Sequence, residues 1–165
     1  MEKAFLSLGS NLGNRYDHIL KAIELIRLLR LTKVSATSPI YETAPIEAKD
    51  HPPYLNCAVR IETDLTPAKL LLECEHLEVS MGRMFKGRTS PRIIDVDILL
   101  FGRQTVDLPD LKIPHQRMKS RAFMIRPLLD IEPGLCCPLS NESYSELYTT
   151  YLLNQKIELY EGQNS

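Results

Sequence analysis

The segment Arg92-Ile93-Ile94-Asp95-Val96-Asp97-Ile98-Leu99-Leu100-Phe101 constrains this chain more than any other. It reads as a β-strand, apolar everywhere except at the leading arginine and two aspartates. Strand side chains alternate between faces, so Asp95 and Asp97 project to one side with Cα atoms roughly 6.5–7 Å apart. The same alternation puts Ile94, Val96, Ile98 and Leu100 on the opposite face, and Ile93, Leu99 and Phe101 with the aspartates. A strand of this kind is covered on both sides. Paired carboxylates there repel each other and lose hydration, a cost that a cation offsets. Hard oxygen donors at this spacing suit Mg²⁺, which binds through one or two carboxylates plus substrate phosphates. Taken alone, the D-x-D spacing also fits two solvated acids, or a pair bridged by neighbouring arginines.

The surroundings of the pair are cationic. Gly82 to Arg92 carries Arg83, Lys86, Arg88 and Arg92 and no acid; Lys112 to Arg126 adds Lys112, Arg117, Lys119, Arg121 and Arg126, again with no acid. These two runs hold nine of the 20 Lys+Arg in a chain whose net charge is −1. Aspartates flanked by guanidinium groups are what a metal–polyphosphate site requires, the forks neutralising charge that the metal leaves. The plainer reading of a basic run is a solvated face or a nonspecific nucleic-acid patch. Gly, Ser and Pro between the cations of the first run argue for a mobile loop rather than a helix stripe.

At 165 residues the chain is expected to form one domain, 1–165, with a sizeable core. The N-terminal apolar stretch is too short for a signal peptide, and no apolar run is long enough to span a bilayer. Cys57, Cys74, Cys136 and Cys137 show no C-x-x-C spacing, and the adjacent pair is a poor staple. A reduced, cytoplasmic protein is expected, with no membrane or nucleic-acid partner and as a monomer.

Along the chain, Lys3 to Leu8 reads as a strand ending in the turn-forming Gly9-Ser10-Asn11-Leu12-Gly13-Asn14. Arg15 to Leu29 reads as a helix with Ile19, Ala22, Ile23 and Ile26 on its apolar face. Val34 to Thr43 is extended and broken at Ser38-Pro39; Ala44 to Pro53 is a polar, Pro-rich loop; Tyr54 to Asp64 alternates as a strand. Thr66 and Pro67 cap and open a second helix running to about Met81, with Leu70, Leu71, Cys74 and Leu77 facing the core. A hairpin turn is expected at Gly102-Arg103, and weaker helices over Ser120–Ile131 and Ser145–Leu153. The order β-α-β-β-α-β is the split βαβ, ferredoxin-like arrangement, here an α+β fold with an added hairpin and C-terminal helices. In it the fourth strand pairs with the first, and the hairpin beyond Gly102 would cover the outer edge of the fourth.

Four blocks occur in order: Gly9-Ser10-Asn11-Leu12-Gly13, Tyr54-Leu55-Asn56, Arg92-x-x-Asp95-x-Asp97-Ile98, and Pro114-His115-x-x-Met118-x-x-Arg121-x-Phe123-Met124-x-x-Pro127-Leu128. Together, over about residues 4–138, they resemble the 6-hydroxymethyl-7,8-dihydropterin pyrophosphokinases of folate biosynthesis. The resemblance implies transfer of the β,γ-diphosphate of ATP to a pterin hydroxymethyl group, releasing AMP. It implies Asp95 and Asp97 as ligands of two Mg²⁺ ions, with Arg83 and Arg92 beside them in catalysis. Nucleotide contacts are implied for Glu75, Glu78, Arg83, Arg88, Arg92, Ile98, His115 and Arg121, and pterin contacts for Thr43, Pro45, Ile46, Tyr54, Asn56 and Phe123. A flat heteroaromatic needs stacking faces and edge hydrogen bonds, which Tyr54, Phe123 and Asn56 can supply. The chain departs from the family at Thr89, often aromatic, at Glu75, commonly Gln, and at Thr43-Ala44-Pro45, which replaces a Pro-Pro version of the pterin loop.

Other classes fit less well. A nucleotidyltransferase also pairs Gly-Ser with D-x-D, but close in sequence, whereas Ser10 and Asp95 are 85 positions apart. The Gly9–Arg15 stretch is not a P-loop. A ferredoxin-like RNA-binding module would want an aromatic RNP strand and a basic net charge, and neither is present.

Overall fold

A computed structural model describes residues 1–44, 52–82 and 93–162. The central sheet contains β1 (Glu2–Ser10), β2 (Thr32–Thr37), β3 (Tyr41–Thr43), β4 (Tyr54–Thr63), β5 (Asp95–Phe101) and β8 (Ile157–Leu159). Its order is β5-β1-β4-β3-β8, with β2 also on β4, and every pairing is antiparallel. β2 and β3 run along one side of β4 in succession, interrupted at Ser38-Pro39 because proline cannot donate to the ladder.

Helix α1 (Arg15–Arg27) links β1 to β2, and α2 (Pro67–Ser80) links β4 to β5. Asn14 caps α1 by accepting the Asp17 N–H, and Thr66 caps α2 by accepting that of Lys69, with Pro67 in the first turn. Ile19, Ala22, Ile26, Leu70, Cys74 and Leu77 pack on Ala4, Leu6, Leu8, Leu55, Cys57, Val59 and Ile61. The other sheet face meets α3 (Ala122–Ile131) and the C-terminal helical turns, where Phe5, Leu99 and Leu100 bury against Met124, Ile125, Leu128, Tyr144 and Leu152. The fold is therefore α+β, an antiparallel sheet between two helical layers. No helix among the described residues is long and apolar enough to cross a membrane.

Three details correct the sequence reading. The β1–β5 register shifts between Phe5 and Leu6, and Leu99 is the extra residue. Such a bulge resets the alternation. Leu100 consequently joins Leu99 in the α3 layer, and Phe101 joins Ile94, Val96 and Ile98 beneath α1 and α2. Next, the turn at Gly102-Arg103 does not fold the chain back along β5. β6 (Val106–Leu108) pairs instead with β7 (Leu111–Ile113) in a separate two-stranded sheet. The segment after β7 then meets β5, the His115 N–H donating to the Leu99 carbonyl at 3.0 Å. Finally, the C-terminal helix is one α turn, α4 (Tyr144–Leu147), continued by a π turn over Tyr148–Leu152.

Candidate active site

The site grows from one cross-strand row. Asp95 of β5 pairs with Gly9 of β1, Gly9 with Asn56 of β4, and Asn56 with Tyr41 of β3; the next row is Asp97, Ser7, Ala58. All lie on the α3 face, since Tyr41 donates to Asp130 of α3. Asp95 and Asp97 thus stand at one end of a floor made of Gly9, Ser7 and Ala58, with Asn56 at the other. The floor is low because its residues are small. A Cβ on Gly9 would come within 3.0 Å of Asn56 Oδ1 and 3.5 Å of the Tyr54 ring. Asn56 is 2% exposed, and its Nδ2 donates to Thr43 Oγ1 at 2.8 Å. Those two buried polar groups satisfy each other.

The aspartates are half-buried, and the backbone between them is held from outside. Glu78, 2% exposed on α2, accepts the Val96 N–H at 2.8 Å through one carboxylate oxygen. Ile98 is 4% exposed in the α1–α2 core, and Glu75 is half-buried one turn before Glu78. Glu78 thus holds the backbone between the aspartates, and the Ile98 side chain packs in the α1–α2 core.

His115 follows β7. Its Nδ1 accepts the Arg117 N–H at 3.1 Å, which leaves Nε2 as the protonated, donating nitrogen. Burial, then Arg121 and Arg117, push its pKa down to about 4, although Asp95 pulls the other way. The ring is a neutral donor at pH 7. Arg121 stacks its guanidinium 5.5 Å above the Phe123 ring, joining a phosphate candidate to a pterin candidate at the start of α3. A cleft of about 600 Å³ is lined by Thr43, Arg121 and Phe123 together with Arg117, Gln155 and Lys156.

The fold therefore brings Asp95, Asp97, Asn56, Thr43 and Tyr54 onto one sheet face. His115 and Arg121 belong to the segment between β7 and α3, Phe123 to the first turn of α3, and Arg121 and Phe123 share the cleft with Thr43. Pro45, Ile46, Arg83, Arg88, Arg92 and Thr89 lie outside the described residues. Sequence reasoning missed Gly9 as a contact-forced residue and Gln155 altogether. The Gly9-Ser10 turn signal was visible, whereas nothing near Gln155 announces a site.

As a donor set, two carboxylates on one strand face suit a hard cation shared with a polyphosphate. Among the described residues no three His, Cys, Asp or Glu gather into a metal cage. Cys57 and Cys74 lie in the opposite core, away from the aspartates. The residues fit Mg²⁺ completed by substrate oxygens.

The fold and site define an antiparallel α+β protein with an acidic pair on one sheet face and a histidine, an arginine and an aromatic ring grouped at the entry to α3. The family model for 7,8-dihydro-6-hydroxymethylpterin-pyrophosphokinase (HPPK) matches residues 5–133. The 2-amino-4-hydroxy-6-hydroxymethyldihydropteridine pyrophosphokinase of Pseudomonas aeruginosa is 38% identical over 138 residues, 84% of this chain and 85% of that protein. The folic acid synthesis protein fol1 of Pneumocystis carinii is 40% identical over 147 residues, 89% of this chain but only 20% of that longer protein. The Plasmodium falciparum HPPK-DHPS crystal structure with pteroate shares the fold with a TM-score of 0.75 at 17% identity, over 92% of this chain and 44% of that one. The chain belongs to the HPPK family and is an ATP-dependent pyrophosphokinase, a transferase acting in folate biosynthesis.

Proposed function

We propose that the Asp95–Gly9–Asn56 row is the floor on which the β,γ-diphosphate of ATP passes to the hydroxymethyl group of 6-hydroxymethyl-7,8-dihydropterin. The observation that carries this reading is the row itself: a metal-type acidic pair and a buried amide, separated only by small residues. The strand order supports the split βαβ interpretation, because β1 and β2 flank β4 while β4 and β5 flank β1.

Asp95 and Asp97 would hold Mg²⁺, two ions in our reading. When bound, Mg²⁺ supplies neutralisation of phosphate charge and acidifies a coordinated hydroxyl. The pterin hydroxymethyl oxygen attacks the β-phosphorus, the bond from that phosphorus to the oxygen bridging to the α-phosphate breaks, the hydroxyl proton leaves to solvent, and AMP departs. Asn56, steadied by Thr43, offers an N–H and a carbonyl oxygen to the pterin edge, while Tyr54 and Phe123 offer ring faces. His115 donates Nε2–H to a phosphate oxygen without adding charge, and Arg121 stabilises the charge that moves toward AMP. Any nucleotide contact from Ile98 comes through its main chain, since its side chain is in the core. Arg83, Arg88, Arg92, Pro45 and Ile46 keep the roles that the resemblance implies.

Product analysis tests the reading. Phosphorus NMR of the protein with Mg²⁺, ATP and hydroxymethyl-dihydropterin should show AMP and a pterin diphosphate in equal amounts. Accumulation of ADP would mean single-phosphate transfer and would contradict it.

A further inference from the structure

Gln155 lies beyond residue 133, where the family match ends, yet it reaches back to the start of α3. Its side-chain amide makes two backbone hydrogen bonds: Oε1 accepts the Ala122 N–H at 2.9 Å, and Nε2 donates to the Ser120 carbonyl at 2.8 Å. These two backbone groups flank Arg121. The amide therefore brackets Arg121 much as a neighbouring strand would. Arg121 needs such a partner, since it is extended (φ −126°, ψ 107°) at the N-cap position of α3 and gives the helix no side-chain cap. Gln155 is itself held at both ends. Its N–H donates to the carbonyl of Leu152, which is 2% exposed, and two residues later Ile157 pairs with Thr43 in the β8–β3 ladder. Gln155, Arg121, Phe123 and Thr43 border the same cleft.

We propose that Gln155 is a positioning residue for the transfer reaction, fixing the backbone from which Arg121 projects into the cleft. The inference rests on the reading of Arg121 as a phosphate-binding group. Lost brackets matter because a displacement of about 1 Å in a catalytic constellation costs roughly a hundredfold in rate. A passive tie of the C-terminal segment would instead affect stability and leave kinetics alone.

A double-mutant cycle separates these roles. Gln155→Met is nearly isosteric and removes both hydrogen bonds; Gln155→Glu keeps the acceptor for Ala122 and sets an oxygen against the Ser120 carbonyl. We expect Gln155→Met to lower kcat about 10- to 100-fold with Tm within a few degrees of the parent, and Gln155→Glu, which adds repulsion at Ser120, to lower it at least as far. In an Arg121→Ala background the same Gln155→Met change should cost less than about twofold, because the group it positions is gone. Wild-type kinetics for Gln155→Met, while Arg121→Ala is impaired, would overturn the proposal alone. Equal fold-losses in both backgrounds would also overturn it, by assigning Gln155 a structural role. Wild-type kinetics for Arg121→Ala would remove the reading of Arg121 and this proposal with it. If Gln155→Met does not fold, Gln155→Glu is carried through the same cycle under the same criteria.

Discussion

Gly9 shows how much a missing side chain contributes to this site. Its backbone lies under Asn56 and Tyr54, and Asn56 cannot swing aside without giving up its bond to Thr43. Gly9→Ala should therefore weaken pterin binding about tenfold, the worth of one displaced hydrogen bond, and change ATP binding less than twofold. Calorimetric titrations with a pterin analogue and a nonhydrolysable ATP analogue check this; equal losses would move Gly9 out of the pterin site. His115 makes a second residue-scale case. Its folded pKa of about 4 lies below the 6.5 of the free side chain. Between those values the unfolded chain binds a proton that the native state does not, so this contribution to stability is complete above pH 6.5 and is lost as pH falls toward 4. An NMR titration of the ring should give a midpoint near 4 in the apo protein. A midpoint near 6.5 would mean that His115 is exposed and free to act as a cation.

Among the elements, β5 depends on support from its neighbours. Glu78 of α2 accepts from the N–H of Val96, the residue between the aspartates, and the His115 N–H donates to the Leu99 carbonyl where the strand bulges. Glu78→Leu leaves a buried N–H unpaired, and a loss of about 1–3 kcal/mol of stability is expected in denaturant unfolding. Glu78→Gln keeps an acceptor and should retain ATP affinity within a fewfold. Lost ATP binding with unchanged stability in Glu78→Gln would return this residue to the nucleotide. This element also marks how far the sequence could be read. Period-2 alternation placed Asp95 and Asp97 correctly, because β5 is regular there. It failed at Leu100 and Phe101, because a one-residue bulge carries no signature in an apolar run. The capped start of α2 was legible from Thr66 and Pro67, and the start of α1 from the turn-forming run that ends at Asn14. The added hairpin beyond Gly102 was legible too, as β6 paired with β7, but its separation from the central sheet was not, since partner choice is tertiary. β8 escaped notice because Ile157–Leu159 is short and mostly exposed. An acidic residue on a helix ordinarily reads as solvated, so the burial of Glu78 was equally hidden.

Across the whole molecule, each layer serves the acidic pair. The α1–α2 layer anchors the sheet from one side, α3 and the C-terminal turns cover part of the other, and beside them lies the small-residue floor between carboxylates and amide. The candidate site was legible in sequence where residues act through type and local spacing, as in the D-x-D pair. The long-range bracket from Gln155 to Arg121 was not, because its partners are 33 and 35 positions away. The central claim is that Asp95 and Asp97 are kept together for a cation and not for stability. Asp97→Ala tests it most directly, measured as steady-state turnover beside thermal unfolding of the apo protein. The variant should keep a Tm within a few degrees of the parent, while turnover falls by about three orders of magnitude or more. A variant that keeps a tenth of the parent turnover would contradict the account.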